Sequence, residues 1–194
     1  MTENIAVTEK QLVVFDLAGE HYGVDISTVR EIIQMQTVTR VPGSVSFVEG
    51  MINLRGIVIP VVDLRKRFGL DSAEHDKDTR IMVMHCKGQD IGMIVDSVTE
   101  VLRIQSDSIE PPSSVVTSSD SEYLLGTAKL TDRLVILLDT DRVLSREDIK
   151  LIADLASEKE IKDSIDGSGK ELRRSSTSSR EEVAKSREKV VAKT

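Results

Sequence analysis

The sequence has three histidines and one cysteine, the side chain types that most often bind zinc or act as redox-active thiols. His21 stands beside a predicted turn, His75 in a charged loop, and His85 next to Cys86 in a predicted strand. Zinc sites need His and Cys ligands at short, regular spacings, which these residues lack. Cys86 is better explained as small apolar filler within a strand. The sequence therefore predicts neither a metal site nor a redox centre.

Segments that could bind a phosphate or perform catalysis are incomplete. GSGKE at residues 167–171 resembles part of a phosphate-binding loop, but Ser164 replaces its first glycine and Glu171 its Ser or Thr. The patterns G-x-G-x-x-G and G-x-S-x-G do not occur. Asp63 and Asp139 recur at equivalent positions, which favours turn roles at strand ends over paired acid and base catalysis. We expect no cofactor and no enzyme activity.

Composition and charge narrow the class of protein. One cysteine allows no disulfide within the chain and favours a reducing cytoplasm. Residues 1–163 carry a net charge of −10, which repels phosphate backbones and argues against nucleic acid as the ligand. The N-terminal residues do not resemble a secretion signal, and the run IVIPVV is shorter than the roughly 18 residues of a membrane helix. We expect a soluble, cytoplasmic protein.

Short β-branched runs, punctuated by Gly, Asp and Pro, predict many short strands in a sandwich or barrel. The runs are LVVFDL, YGVDI, FVEGMINL, IVIPVVDL, RIMVMHC, IGMIVD and LVILLD. The fold class expected from this pattern is mainly β.

An internal repeat relates the two halves of the sequence. Gly23–Ile33 aligns without gaps with Gly92–Leu102, and Gly50–Asp63 aligns with Gly126–Asp139. Each block has three identities, so chance similarity between two β-rich halves is the alternative. A duplication predicts two similar β domains that pack against each other, because each half is near the size at which a single core is marginal.

The predicted organisation has four parts. Residues 10–78 and 79–145 form the two β halves, and residues 146–159 form a helix with a narrow apolar stripe that docks on a barrel. Ser145 can cap this helix, with Asp148 at its third position. Residues 160–194 are rich in Ser and charge and are expected to be disordered.

Arg55 interrupts an otherwise apolar stretch. Arg55-Gly56 fits a two-residue hairpin turn in which Gly56 supplies a positive φ, so we expect the guanidinium at a hairpin tip. The repeat aligns Arg55 with Thr131, so the fold does not require an arginine there. Two roles are open: a solvated turn residue paired with Glu49, worth about 0–1 kcal/mol, or a side chain that engages a carboxylate or amide of a partner protein.

The block GMINLRGIVIPVVDLRKRFGL, with the flanking strands and VTEVL, resembles the CheW coupling proteins of bacterial chemotaxis over about residues 10–155. INLRG followed by PVVDLR at this spacing is a specific signal. The resemblance implies a non-catalytic adaptor built from two intertwined or abutting five-stranded SH3-like β-barrels. Such an adaptor links the cytoplasmic tips of methyl-accepting chemotaxis receptors to the histidine kinase CheA, and meets the membrane only through the receptors.

The resemblance also implies which residues bind each partner, with the receptor tip in the groove between the barrels. Five residues match family positions associated with receptor coupling: Val29, Glu31, Gly50, Arg55 and Val101. Ile33 and Val41, on the first barrel, are candidates for the face that meets the CheW-like domain of the kinase, and ordinary core packing is the alternative for both.

Two other functions compete with the adaptor. A CheV-like protein would need an attached receiver domain of about 120 residues, for which this chain has no room. A small β-barrel enzyme, or a regulator that binds a nucleotide or metabolite in a site built from loops, is the alternative from a different class.

Overall fold

The computed structural model describes residues 9–112 and 122–154, which form a mainly β structure as predicted. The strands are β1 (Glu9–Leu17), β2 (Glu20–Asp25), β3 (Val29–Gln34), β4 (Val48–Leu54), β5 (Ile57–Asp63), β6 (Arg80–Cys86), β7 (Gln89–Val95), β8 (Ser97–Gln105), β9 (Ile109–Glu110), β10 (Leu124–Lys129) and β11 (Leu134–Leu138). Two single-turn helices, α1 (Leu64–Arg67) and α2 (Thr140–Val143), follow β5 and β11. Short 3-10 turns, Ile26–Thr28 and Ser106–Ser108, lie beside β3 and β8.

The strands form two sheets. The six-stranded sheet has the order β8-β1-β2-β11-β10-β9, and the five-stranded sheet has the order β3-β6-β7-β5-β4. The chain crosses from the six-stranded to the five-stranded sheet after β2 and returns after β7. Both crossings lead directly into an edge strand, β3 in one sheet and β8 in the other.

Neither sheet is built from one half of the chain. The β1–β2 hairpin of the first half lies in the six-stranded sheet, and the β6–β7 hairpin of the second half lies in the five-stranded sheet. Parallel pairing of β2 with β11 and of β7 with β5 joins each exchanged hairpin to its host. The ranges 10–78 and 79–145 therefore describe the sequence repeat and do not coincide with the two sheets. The repeat alignment could not reveal this exchange, because it compares the halves without pairing their strands.

Side chains alternate between the two faces of each strand, and this alternation produces three separate apolar cores. In β1, Leu12 and Val14 face the core of the six-stranded sheet, whereas Val13 and Phe15 face a core shared by both sheets. Period-two alternation places successive side chains on opposite faces of a strand, so each sheet has its own core on one face and the shared core on the other. We call the shared cluster the inter-sheet core: Val13, Phe15, Leu17, Val24, Val48, Val62, Leu64, Met82, Met84, Cys86, Ile91, Met93, Val95, Leu138, Val143, Leu144 and Ile152.

Equivalent backbone features recur in the two halves, which supports the duplication. Gly50 and Gly126 both follow a register shift and have φ of 144° and 152°. A Cβ at Gly50 would lie 2.1 Å from the Thr39 carbonyl oxygen, and one at Gly126 would lie 2.4 Å from that of Glu110. Only glycine allows these close approaches of two backbones.

Asp63 and Asp139 end equivalent strands and cap the short helices that follow. The Asp63 carboxylate accepts hydrogen bonds from the amides of Arg65 and Lys66, and that of Asp139 accepts one from Asp141. These contacts confirm the predicted turn role, in which a carboxylate oxygen replaces the missing partner of a helix N-terminal amide.

The C-terminal helix begins as the sequence predicts. Ser145 Oγ accepts a hydrogen bond from the Asp148 amide at 3.0 Å, and Asp148 Oδ2 accepts one from the Ser145 amide at 2.9 Å. This reciprocal pair is a capping box with Asp in place of the usual Glu. Residues 146–154 are helical, and Ile152 is fully buried in the inter-sheet core. The rest of the predicted helix, 155–159, and the tail, 160–194, lie outside the described residues.

Candidate functional site

Arg55 lies at the tip of the hairpin between β4 and β5, as predicted. Leu54 pairs with Ile57, and the two residues between them have positive φ, 55° for Arg55 and 89° for Gly56. Two consecutive residues of positive φ are typical of the type I′ turn, whose twist suits an antiparallel hairpin. Asn53 Oδ1 accepts a hydrogen bond from the Gly56 amide at 2.8 Å. The Arg55 side chain is 77% exposed, so it lies outside the core.

The guanidinium of Arg55 pairs with Glu31 on β3, so the expected pairing with Glu49 is wrong. Arg55 Nη2 donates to Glu31 Oε1 at 2.5 Å, whereas Glu49 pairs with Lys66 of α1, which directly follows β5. Within residues 9–112 and 122–154, Glu31 is the hydrogen-bond acceptor of this guanidinium. A guanidinium has five N–H groups, so donors remain for a carboxylate of a partner protein.

Strand β3 presents alternate residues to the core and to solvent. Val29 packs against the inter-sheet core, and Ile33 packs against the core of the five-stranded sheet. The exposed apolar residue of this strand is Ile32, at 40%. Ile33 therefore packs against this core while remaining half-buried, so its contact with the kinase stays a prediction, and a partner that approaches β3 from solvent meets Ile32.

Val101 occupies the equivalent place in the six-stranded sheet. It lies on the edge strand β8, pairs with Val13 of β1 and is 54% exposed. The repeat aligns Val101 with Ile32, and it aligns Val98 with Val29. Val98, like Val29, packs against the inter-sheet core. Each edge strand thus carries one valine on the inter-sheet core and one exposed apolar residue three positions later.

An ion pair also recurs in the second half. Glu100, the counterpart of Glu31, accepts a hydrogen bond from Arg133 Nη2. Arg133 lies two residues beyond Thr131, the counterpart of Arg55, so the second half supplies its guanidinium from a different position of its hairpin. The Nε atom of Arg133 is buried and lacks a hydrogen-bond partner among the described residues. Both β-hairpin tips are therefore tied to an edge strand by an Arg–Glu pair.

Gly50 has a backbone role in the structure. The residue is buried, and its close approach to Thr39 fixes the segment after β3 against β4. A larger residue there would displace the Thr39 backbone, so Gly50 shapes the segment that lies against β4 of the five-stranded sheet.

Val41 is half-buried and lines a cleft of about 230 Å³. Arg40, Val45, Glu49 and Lys66 also line this cleft. Val41 thus lies at a concave part of the surface, whereas Ile33 lies against the core of the five-stranded sheet.

A larger polar cleft, of about 650 Å³, adjoins α1 and α2. Phe68 and Tyr123 stack there with ring centroids 4.6 Å apart. Its cations are engaged by the protein: Arg67 donates to the Val143 carbonyl and Lys87 to the Leu144 carbonyl, while Arg142 pairs with Asp139. Three carboxylates, Glu122, Asp139 and Asp141, also line this cleft, and their negative charges weigh against a phosphate ligand.

His21, His85 and Cys86 have structural contacts, whereas His75 lies exposed in the loop before β6. His21 Nδ1 lies 2.5 Å from Asp16 Oδ1, and His85 Nδ1 lies 2.7 Å from Asp90 Oδ1. Burial raises the pKa of the Cys86 thiol to about 12, so its reactive thiolate is scarce at neutral pH. Among the residues that the structure describes, no three His, Cys, Asp or Glu side chains are grouped to hold a metal ion.

Comparison with known proteins decides the family. The CheW-like domain model matches residues 11–148, which is most of the chain. The chain belongs to the CheW family. Its sequence is 35% identical over 147 residues to the chemotaxis protein CheW of Bacillus subtilis, covering 76% of this chain and 94% of that protein. It is 33% identical over 147 residues to CheW of Klebsiella aerogenes, covering 76% of this chain and 89% of that protein.

A solved structure agrees with this family. The crystal structure of the scaffolding protein TtCheW from Thermoanaerobacter tengcongensis matches with a TM-score of 0.67 and 42% identity, covering 73% of this chain and 96% of that one. CheW proteins are non-catalytic scaffolds of chemotaxis, so this chain is a coupling protein and not an enzyme. In the parts of the chain that the structure describes, no helix has the length and apolarity to cross a membrane.

Sequence reasoning missed four residues at these surfaces: Ile32, Ile57, Val98 and Arg133. The repeat alignment contained the signal for Val98, since it pairs Val98 with Val29. Ile57 directly follows the Arg55-Gly56 turn and is 66% exposed, but apolar residues in a predicted strand are normally assigned to the core. Exposure of this kind depends on which face of the strand the neighbouring elements cover.

Proposed function

We propose that this CheW-family chain couples chemoreceptors to the histidine kinase CheA in cytoplasmic signalling arrays. The observation that carries the proposal is the exposed Arg55, which pairs with half-buried Glu31 and lies in the same hairpin as Ile57, whose side chain is 66% exposed. An apolar patch with an arginine beside it is the composition that protein interfaces favour. The chain reaches its array through these partners, so its contact with the membrane is indirect.

The receptor face comprises the five sequence-predicted residues, which act in different ways. Val29 and Val101 supply apolar contact on the two edge strands, and Arg55 with Glu31 orients polar groups of the receptor tip. Gly50 supports this face by letting the backbone at Thr39 lie against β4. Such a surface suits a modest interface, at or below about 1,200 Å², which gains avidity from the many copies in an array.

The kinase face is proposed beside the five-stranded sheet. Val41, which lines the cleft of about 230 Å³, is the proposed contact, and Ile33 supports this face from the core of that sheet. Signal transfer then requires that the receptor's two signalling states bind the coupling protein with different affinities, since a partner that binds both states equally shifts neither.

The test of the receptor face is the Arg55→Glu variant. Reversal of the charge removes the pair with Glu31 and places a carboxylate where a partner carboxylate is expected to dock. We expect receptor binding to weaken by roughly 2–5 kcal/mol if the contact is desolvated, with an unchanged melting temperature because the side chain is exposed. The measurement is co-sedimentation with a receptor cytoplasmic fragment and CheA.

Lys129→Glu is the matched control. Lys129 also lies on a hairpin, in an exposed ion pair with Glu110 at 2.9 Å, so the control makes the same charge change without touching the proposed face. An Arg55→Glu protein that is folded and binds the receptor fragment as tightly as the wild type rejects the assignment of Arg55. Loss of binding in both variants would indicate a general charge effect.

The alternative, a regulator that binds a small molecule, would use the polar cleft beside Phe68 and Tyr123. The cations of that cleft are paired within the protein, which weighs against it. Thermal shift against nucleotides separates the two functions, because a ligand that binds only the folded state raises the melting temperature.

A further inference from the structure

The motif PVVDLR contains a second arginine, Arg65, that the docking surfaces do not use. Its side chain is 18% exposed and makes a bidentate pair with Asp96: Nε lies 2.7 Å from Oδ1, and Nη2 lies 2.6 Å from Oδ2. A third donor, Nη1, reaches the Asp71 carbonyl at 2.8 Å. A bidentate arginine–carboxylate pair fixes both direction and distance, unlike a single bond to a lysine.

Asp96 lies where the chain crosses between the sheets, from β7 of the five-stranded sheet to β8 of the six-stranded sheet. The other contacts of this crossing are with the β1–β2 hairpin of the six-stranded sheet. Asp96 Oδ2 accepts from the Ala18 amide at 2.8 Å, the Asp96 amide donates to the Asp16 carbonyl at 3.1 Å, and Ser97 Oγ donates to Asp16 Oδ2 at 2.8 Å. Arg65 follows β5 of the five-stranded sheet, so this carboxylate bonds both sheets at once.

Both side chains of this pair are stabilised in their charged forms. Burial by itself raises the pKa of Asp96, but hydrogen bonds from Arg65 and from the Ala18 amide lower it, and the pKa of Asp96 lies below its ordinary value. The hydrogen bond to Asp96 raises the pKa of Arg65 above its ordinary value, against the opposite effect of burial. Both groups are therefore ionised at neutral pH.

The other crossing, from β2 to β3, is held differently. Asp25 accepts hydrogen bonds from the amide and hydroxyl of Ser27, and the Thr28 hydroxyl donates to the Asp25 carbonyl. These side-chain hydrogen bonds stay within four consecutive residues. In the repeat, the counterpart of Arg65 is Asp141, which accepts from the Lys87 amide. The bidentate pair is thus a feature of one crossing and not of the duplicated fold.

Apolar attraction in the inter-sheet core is non-directional, so polar contacts between the sheets add directional constraints to its packing. The Arg65–Asp96 pair is one such contact, and Lys87 with Asp141 and the Leu144 carbonyl is another.

Asp96 directly precedes β8, which carries Val101, and Val29 begins β3, the equivalent edge strand of the other sheet. Any rotation of one sheet on the other changes the placement of Val101 relative to Val29. We propose that the Arg65–Asp96 pair is a positioning device that sets the placement of the two sheets, and through it the spacing of Val29 and Val101 on the proposed receptor face.

The structural test measures the distance between the two sheets directly. Spin labels at Gln34→Cys, on β3, and Thr131→Cys, in the loop between β10 and β11, report one exposed position from each sheet. Buried Cys86 does not compete for the label. We expect a narrow distance distribution for labelled but otherwise wild-type protein. In the Arg65→Gln/Asp96→Asn double variant, which leaves no unpaired charge behind, the distribution should broaden or shift. A distribution that superimposes on the wild type in the folded double variant overturns the proposal.

The functional test rests on the proposed receptor binding. We expect the double variant to bind a receptor cytoplasmic fragment about five- to tenfold more weakly, and Arg65→Lys, which keeps the charge but loses the bidentate geometry, to lie between the two. A double variant with altered distances and unchanged affinity overturns the link to receptor binding. If the wild-type protein ignores the receptor fragment, the proposed function fails, while the distance measurement still decides the role of Arg65.

Discussion

Backbone geometry separates Gly50 from the other residues of the proposed receptor face. Arg55, Glu31 and Val101 can each touch a partner through a side chain, whereas Gly50 is buried and is needed because the Thr39 carbonyl lies where its Cβ would be. A substitution at Gly50 therefore reduces binding through the fold. The same loss of coupling can arise from a contact residue or from a residue that shapes the surface, and stability measurements distinguish them.

Gly50→Ala is expected to lower the free energy of unfolding by about 2–4 kcal/mol, because it combines a disfavoured φ of 144° with a backbone clash. Gly56→Ala is the control: its φ is 89°, but nothing lies within 4 Å of the added Cβ, so only the left-handed penalty of about 1–2 kcal/mol applies. Urea denaturation measures both. Equal losses in the two variants would contradict the close approach at Gly50.

Cys86 is expected to be inert in the folded protein. It is fully buried, and burial raises the pKa of its thiol to about 12. A thiol reagent such as DTNB at pH 8 should leave the native chain unmodified and label one thiol per chain in guanidinium chloride. Rapid labelling without denaturant would mean that β6 opens far more readily than its burial implies.

Among the elements, the C-terminal helix shows how one apolar position anchors a segment. Ile152 is fully buried in the inter-sheet core, whereas its neighbour Leu151 is 38% exposed. The capping box at Ser145 and Asp148 fixes where the helix starts and therefore which face meets the core.

Ile152→Ala should destabilise the protein by about 2–5 kcal/mol, the usual cost of a cavity in a core. Leu151→Ala removes a similar number of methylene groups from a partly exposed site and should cost less than about 1 kcal/mol. Thermal unfolding of the two variants provides the comparison. Similar shifts would indicate that the helix does not present Ile152 to the core in solution.

For the whole molecule, the exchange of hairpins makes the two halves interdependent. Each sheet takes one hairpin from the other half, and the inter-sheet core draws residues from both. We therefore expect the described part of the chain, residues 9–112 and 122–154, to unfold as one cooperative unit, because neither sheet is complete without strands from the other half.

Fragments comprising residues 9–78 and 79–154 should each be unfolded alone, because each lacks the hairpin that completes its sheet. Mixed in equal amounts, they should recover the β-sheet circular dichroism spectrum and a cooperative melt, since the missing strands are then supplied in trans. A fragment that folds on its own as a monomer would contradict the exchange.

Local patterns in the sequence determined seven strands (β1, β2, β4, β5, β6, β7 and β11), the Arg55-Gly56 turn, the caps at Asp63, Asp139 and Ser145, and the family. These features depend on residues close together in the chain, where φ preference, alternation and capping act within a few positions. The repeat likewise indicated that Val29 has a counterpart at Val98.

Tertiary structure alone decided the rest. It chose Glu31 over Glu49 as the partner of Arg55, exchanged the hairpins between sheets, exposed Ile32 and Ile57 while Ile33 packed inward, and joined Arg65 to Asp96. Each of these outcomes depends on contacts between residues far apart in the sequence. Whether such contacts form is determined by how whole strands pair and pack, and no local preference encodes that choice.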